Sequence, residues 1–376
     1  MFSLLRAIRI FNPKKSSVVM FSNANSTIMQ KMILENIDHT ILHDNKEVFY
    51  LTPQILIHMI KNLIVTFLSG RRPRRLYLHY LLGCLEYIRP KIVITSIDNS
   101  SLFHFLSRFY KSAEFYAIQN GVRSRYDMTK LLPKPPAAGS IIYMQNLICF
   151  GHFEKDLYTR YGHKIKRFHP VGSLIGGYYK TQVIADKVKN EFDICLVSQW
   201  RKSIMEGERD PEVKKGLIIL DKHLSKYVKD RNLSICVATC SNDPQEREYF
   251  KSAYGDRIQI IDFDRMNMST YAAMDHSYVV IALDSTAARE AFGWGKKVLF
   301  CNFTGEDNYD FPKPGFWSIN KENYEEFKRK LDYLIKIEDK EYQNISREYA
   351  KYVMNYDFSM PAHIYIRNII SNCVNN

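Results

Sequence analysis

The run Asp284-Ser285-Thr286, followed by Glu290, is the strongest chemical signal in the sequence, within the segment HSYVVIALDSTAAREAFGWGKKVLF. A buried strand that ends in Ser/Thr and runs into a helix leaves the first helical N–H groups open. Those amides and the helix dipole together favour a phosphate. Glu290 follows one turn down, where a carboxylate can accept ribose hydroxyls, and Gly293 and Gly295 stop the helix before the next strand. The competing reading is an ordinary capped helix with a solvated Glu290, the cap then contributing about 1 kcal/mol of helix stability.

Other polar groups follow predicted strands. Asp98 and Asn99 come after KIVITSI, and Gln119, Asn120, Gly121 and Arg123 after EFYAI. Ser198, Gln199, Arg201 and Lys202 follow FDICLV. In open parallel sheets the ligand crevice lies at the carboxyl ends of the strands, so these groups are expected to face one cleft. The Arg201 fork matches a carboxylate or phosphate with two hydrogen bonds. His152 and His169 flank the join between the two halves and could donate to a leaving phosphate. Plainer roles compete: helix caps for Asp98 and Asn99, a turn at Asn120-Gly121, and solvated charges for Arg201 and Lys202. Asp262-Phe263-Asp264 is an Asp-x-Asp of the kind that clamps a diphosphate through Mg²⁺. It comes after the third strand of the second half, and no required metal is expected.

These residues need elements to position them. Short β-rich apolar runs alternate with helical patterns, the signature of parallel sheets built from βαβ units. In the first half strands are expected at SVVMFSN, EVFYLT, KIVITSID, EFYAIQN and NLICFG, with helices over 27–34, 53–68 and 101–110 and a surface loop at PKPPAAG, 133–139. In the second half strands are expected at FDICLVSQW, LSICVAT, IQIIDF, YVVIAL and KKVLFCN, with helices over 212–230, 244–254, 269–275 and 285–292. The pattern predicts an α/β protein with two Rossmann-like domains: 1–170, a linker over 171–190 carrying Gly176 and Gly177, and 191–355. A terminal helix over 356–376, with an apolar stripe of Ile364, Ile366, Ile369 and Ile370, is expected to return to the first domain.

Bulk properties narrow the partners. With 376 residues, 46% hydrophobic and 25% charged, the chain has the composition of a folded two-domain protein. A net charge of +13 raises the local concentration of anions, which admits nucleic acid, an anionic membrane face or phosphorylated substrates. No RNA-binding or zinc-finger pattern occurs, so nucleic acid is not expected. The densest basic cluster is Arg71, Arg72, Arg74 and Arg75. The seven cysteines lie mostly apart in apolar runs, as in a reduced compartment. The opening MFSLLRAIRIFNPKK is interrupted by charge and too short to span a bilayer. A cytoplasmic protein with peripheral contact to the inner membrane face is expected, a first helix or a frayed end being the alternative for that segment.

The segments ITSIDNSSLFHFL, AIQNGVR, the stretch from FG to HPVGSL, LVSQWR and ALDSTAAREAFGWGKKV together resemble bacterial surface carbohydrate biosynthesis proteins of the GT-B glycosyltransferase type. More distantly they are similar to the retaining β-Kdo transferases. The resemblance implies two Rossmann-like domains with parallel sheets facing a central cleft, and a nucleotide-sugar donor that is CMP-linked and carries Kdo or a related nonulosonic acid. It also implies a glycan or lipid-linked glycan acceptor, with no cofactor and no metal. A retaining enzyme of this kind needs a carboxylate nucleophile. Asp98 is the first candidate, and Glu206, Asp210, Asp262 and Asp264 stay open; in an inverting enzyme Asp98 would be the base. The catalytic set on this reading is Asp98, Asn99, Gln119, Asn120 and His152, and the donor-binding set is Ser198, Gln199, Arg201, Asp284, Ser285, Thr286 and Glu290. A UDP- or GDP-sugar transferase, a nucleotide-sugar epimerase with the same two lobes, and a non-catalytic glycan-binding protein are the alternatives.

Overall fold

The computed structural model describes residues 8–23, 26–44, 48–68, 76–123, 128, 141–182, 190–255 and 258–375. The strands are β1 Ile8–Arg9, β2 Val18–Phe21, β3 His39–Leu42, β4 Phe49–Tyr50, β5 Ile92–Thr95, β6 Glu114–Ile118, β7 Tyr143–Cys149 and β8 Lys164–Pro170 in the first half. The second half has β9 Phe192–Val197, β10 Ile235–Ala238, β11 Ile258–Ile261, β12 Ser277–Ala282, β13 Lys297–Cys301 and β14 Ser318–Ile319. Helices in the first half are α1 Ser26–Met29, α2 Pro53–Leu68, α3 Leu76–Ile88, α4 Ser101–Phe109 and α5 His152–Arg160, with α6 Leu174–Gln182 at the join. They continue with α7 Lys202–Met205, α8 Pro211–Arg231, α9 Pro244–Tyr254, α10 Ser269–Asp275, α11 Thr286–Gly293, α12 Tyr324–Lys336, α13 Asp339–Val353 and α14 Ala362–Asn375.

Two six-stranded sheets result, in the orders β3-β2-β5-β6-β7-β8 and β11-β10-β9-β12-β13-β14. Every pairing in them is parallel. Helices cover both faces of such sheets, so the inner strands read as continuous apolar runs; Val18–Phe21 and Ile92–Thr95 are buried throughout. The strand order reverses between β2 and β5 in the first sheet and between β9 and β12 in the second. A crevice at the carboxyl end of each sheet belongs at those two places.

Local chemistry sets several boundaries. Pro211 starts α8 and Asn232, in the left-handed conformation, ends it. Asp243 caps α9 through the Gln245 N–H, with Pro244 in the first turn. The first sheet packs on one face against α3 and α4 through Leu81, Leu85, Phe103 and Leu106. On its other face Ile94 and Ile118 join Leu174 and Tyr179 of α6 and Ile366 and Ile370 of α14. The chain end therefore lies beneath the first sheet, held also by the Arg367 Nε–H, which donates to the Met32 carbonyl at 3.0 Å.

Several expectations are corrected. EVFYLT supplies only Phe49–Tyr50, paired with Ile8–Arg9 in a small sheet apart from the main one. Edge strand β3 and helix α3 were not anticipated. The 27–34 stretch is one α-helical turn that continues as a π-helix over Gln30–Leu34. The Gly176-Gly177 pair sits inside helix α6: a Cβ at Gly176 would lie 2.2 Å from the Tyr356 hydroxyl and 3.3 Å from Glu290 Cβ. Gly176 serves close packing of α6, not a break in the chain. PKPPAAG, the arginines at 71–75 and the first seven residues lie outside the described residues.

Candidate active site

The carboxyl ends of the two sheets meet at a cavity of about 270 Å³. The first half contributes Ile28 and Met29 of α1, Ser96 after β5, Ile118, Gln119 and Asn120 at the end of β6, Phe150 after β7, and Ser173, Leu174 and Ile175. The second half contributes Phe263, Asp264 and Arg265 after β11, Met268, Thr270 and Tyr271, and Thr286, Ala287 and Glu290 of α11. Apolar walls with a few convergent polar groups, placed where strand order reverses, are what a small-molecule site in an α/β protein requires.

The start of α11 is open. Ser285 is extended (φ −92°, ψ 136°) and its side chain makes no cap hydrogen bond, so among the described residues the first-turn amides have no side-chain partner. The Thr286 hydroxyl accepts a hydrogen bond from the Val122 N–H at 3.1 Å, joining the two halves beside the cavity. Asp284 is already committed: Arg289 donates to its carboxylate through Nε (3.1 Å) and Nη2 (2.6 Å). Gln199 clasps the Asp284 backbone, accepting from its N–H at 2.8 Å and donating to its carbonyl at 3.1 Å. Gln199 and Asp284 thus fix the reversal point between β9 and β12 and lie outside the cavity wall.

Glu290 is 2% exposed, and among the described residues its Oε2 has no hydrogen-bond partner. Burial pushes its carboxyl up to about 7, opposed by the Ser173 and Tyr271 hydroxyls and the Gly176 amide. A buried carboxylate with an unengaged oxygen in a cavity wall can give or take a proton near neutrality.

Asp98 is fully buried and holds the loop after β6. Arg123 donates to both its oxygens, through Nε at 3.0 Å and through Nη2, and the Asn120 N–H donates to Oδ1 at 3.3 Å. Burial raises the Asp98 carboxyl and the Arg123 guanidinium opposes the rise. With both oxygens engaged, Asp98 positions Asn120 and Arg123; it does not line the cavity as a nucleophile or base would. Gln119 is a second brace, donating to the Gly121 carbonyl (2.9 Å) and Glu154 (3.1 Å) and accepting from the Phe150 N–H (3.0 Å). Burial also pushes Glu154 up to about 7.

The remaining candidates separate. Asn99 and His152 are exposed and outside the cavity wall. Ser198 is buried and donates to Glu246 at 2.6 Å, within a network that also takes Cys240 and Ser241. Arg201 is exposed at the start of α7, away from the wall, and Lys202 pairs with Glu206 at 3.7 Å. His169 bonds Tyr365 at 2.8 Å and Asn146 at 3.3 Å, a tie to the terminal helix. Asp210 pairs with Arg209, and Asp262 with Arg247. Asp264 reaches the wall but accepts the Met266 and Asn267 amides, which hold its carboxyl low. Ser173, Arg265 and Tyr271 line the cavity unforeseen; Ser173 closes the HPVGS stretch, the one signal that could have marked it. Among the described residues no cluster of His, Cys, Asp and Glu is arranged to hold a metal ion, and no helix is long and apolar enough to cross a membrane.

Two parallel-sheet lobes around such a cleft define the GT-B architecture. Similar solved structures include a glycosyltransferase from Rickettsia africae, with 15% identity, a TM-score of 0.51, and coverage of 96% of this chain and 100% of that one. A UDP-GlcNAc 2-epimerase from Neisseria meningitidis bound to UDP-GlcNAc has 15% identity, a TM-score of 0.50, and coverage of 96% and 99%. A variant of the wall teichoic acid polymerase TagF has 13% identity, a TM-score of 0.52, and coverage of 96% and 90%. At these identities the likeness is one of fold. No curated protein matches the sequence. The chain belongs to the family described as "putative O-antigen biosynthesis protein", whose model matches residues 116–366.

Proposed function

We propose that the chain is a glycosyltransferase of surface-glycan assembly, taking its sugar from a nucleotide donor bound between the lobes. The observation that carries this reading is Glu290, a buried carboxylate with an unengaged oxygen in the wall of a cavity that also holds the uncapped start of α11. The donor phosphate meets the amides at Thr286 and Ala287, where the helix dipole offsets the negative charge that grows as the nucleotide leaves. This needs no metal. Glu290 takes or supplies a proton at the sugar or acceptor hydroxyl, and Asn120 orients the acceptor from the opposite lobe. A CMP-linked sugar with a carboxylate, such as Kdo, is the finer form of the reading. Arg265 in the cavity wall supports it, since a guanidinium suits a carboxylate.

An epimerase acting on the donor alone is the second reading, favoured by the likeness to the Neisseria UDP-GlcNAc 2-epimerase. A thermal-shift panel of CMP, CDP, UDP and GDP, followed by donor incubations with and without a glycan acceptor, tests both. A ligand at 100 times its Kd stabilises by about 2.7 kcal/mol. A shift with CMP and acceptor-dependent nucleotide release supports the transferase. Donor conversion without acceptor supports the epimerase, and no shift with any nucleotide overturns both.

A further inference from the structure

We infer that the face built by the helix Pro53–Leu68 and the neighbouring strand end at Ile10 and Phe11 docks on an anionic lipid surface. Only Ile55 of this helix is buried. Ile57 (64% exposed), Ile60 (53%), Ile64 (53%), Phe67 (73%) and Leu68 (77%) recur at helical spacing and form one outward stripe. The opposite side is fastened to α3 at Gly83, where a Cβ would come within 3.0 Å of the Ile55 carbonyl, so the stripe cannot turn inward without losing that packing. Ile10 and Phe11 extend the patch. The Leu51 N–H donates to the Arg9 carbonyl at 2.9 Å, the Asn12 side chain reaches Gln54 at 3.4 Å, and the Phe11 ring meets Tyr50.

An apolar surface of this extent calls for a cover. Charge selects which one. Residues 1–75 carry eleven Lys and Arg against four Asp and Glu, so more than half of the chain's +13 surplus falls in this one fifth of the sequence. Lys61 is exposed on the helix itself, and Arg71, Arg72, Arg74 and Arg75 follow it directly in sequence. A second copy of the chain would set this positive surplus against itself, whereas anionic headgroups neutralise it. The 16-residue helix is about 24 Å long, shorter than a bilayer core, which suits a helix lying in the plane of the interface.

The test is co-flotation of the full chain with vesicles rich in phosphatidylglycerol and, separately, with vesicles of phosphatidylcholine alone. The wild type is expected to float with the anionic vesicles only, less so as salt rises. The exposed-site double variant Ile60→Asp/Ile64→Asp is expected to lose at least about tenfold in binding with an unchanged Tm. Equal flotation of wild type and variant, or equal binding to both vesicle types, overturns the inference. A wild-type dimer that the variant converts to monomer also overturns it, in favour of a second copy. Nucleotide-induced thermal shift on the same variant reads the cleft separately, so failure of this face and failure of the transferase reading are distinguishable.

Discussion

The Thr286 hydroxyl accepts the Val122 N–H at 3.1 Å, a bond that joins the first-half loop after β6 to the start of helix α11. It closes the two lobes at the spot where the donor phosphate would sit. Thr286→Val keeps the shape and removes the acceptor. A net hydrogen bond contributes about 1 kcal/mol, so calorimetry should show a stability loss of that size and a nucleotide affinity weakened about fivefold.

Glu290 makes stability depend on pH. Its carboxyl titrates at about 7 in the fold against an ordinary value of 4.5, so the native state holds a proton that the unfolded chain releases. The resulting contribution is fully present below pH 4.5 and is lost as pH rises through 7; the loss is on the order of 3 kcal/mol. Glu290→Gln should remove this share of the pH dependence of denaturant-derived stability, leaving the share of Glu154, and raise stability at pH 8. Transfer activity should fall at the same time. A Gln variant with wild-type activity and an unchanged pH profile would remove Glu290 from the chemistry.

Gly176 permits helix α6 to touch Tyr356 and Glu290. Gly176→Ala forces a Cβ to within 2.2 Å of the Tyr356 hydroxyl, and overpacking of this kind costs about 1–3 kcal/mol. Tyr356→Phe removes the clashing oxygen. The double variant should regain most of the Tm lost by Gly176→Ala, a coupling that thermal unfolding of the four members of the cycle would measure.

Asp98→Asn separates a positioning role from a reactive one. Breaking a buried ion pair costs about 3–5 kcal/mol. Tm and activity should fall together, and intact-mass analysis of the wild type after donor incubation should find no sugar attached at Asp98. A variant that folds with normal Tm and is inactive would return Asp98 to the nucleophile's place.

The α/β class was legible because parallel strands buried on both faces leave unbroken apolar runs such as YVVIAL and KIVIT. Edge strands leave a weaker trace. His39–Leu42 alternates in burial and no residue of Lys164–Pro170 is fully buried, so neither is an unbroken apolar run. Asn120 was legible at the cavity because strand ends face the crevice, and Thr286 and Glu290 because the helix after β12 starts there. Strand-end polarity could not tell a ligand group from a brace, and Asp98, Ser198, Gln199 and Asp284 proved to be braces through partners 25, 48, 85 and 5 residues away. Tyr271 reaches the cavity only through tertiary packing, which no local pattern encodes, and Ser173 had only the HPVGS stretch to mark it.

Thr286→Pro, compared with Thr286→Val, measures the phosphate grip itself. Both lose the hydroxyl, and only proline loses the first helical N–H. Ser285 already has the extended backbone that a following proline demands, so the helix start can accept the change. If the amides of α11 hold the donor phosphate, the proline variant should bind nucleotide about tenfold or more weakly than the valine variant, at similar Tm. Equal nucleotide affinity for the two would contradict the account.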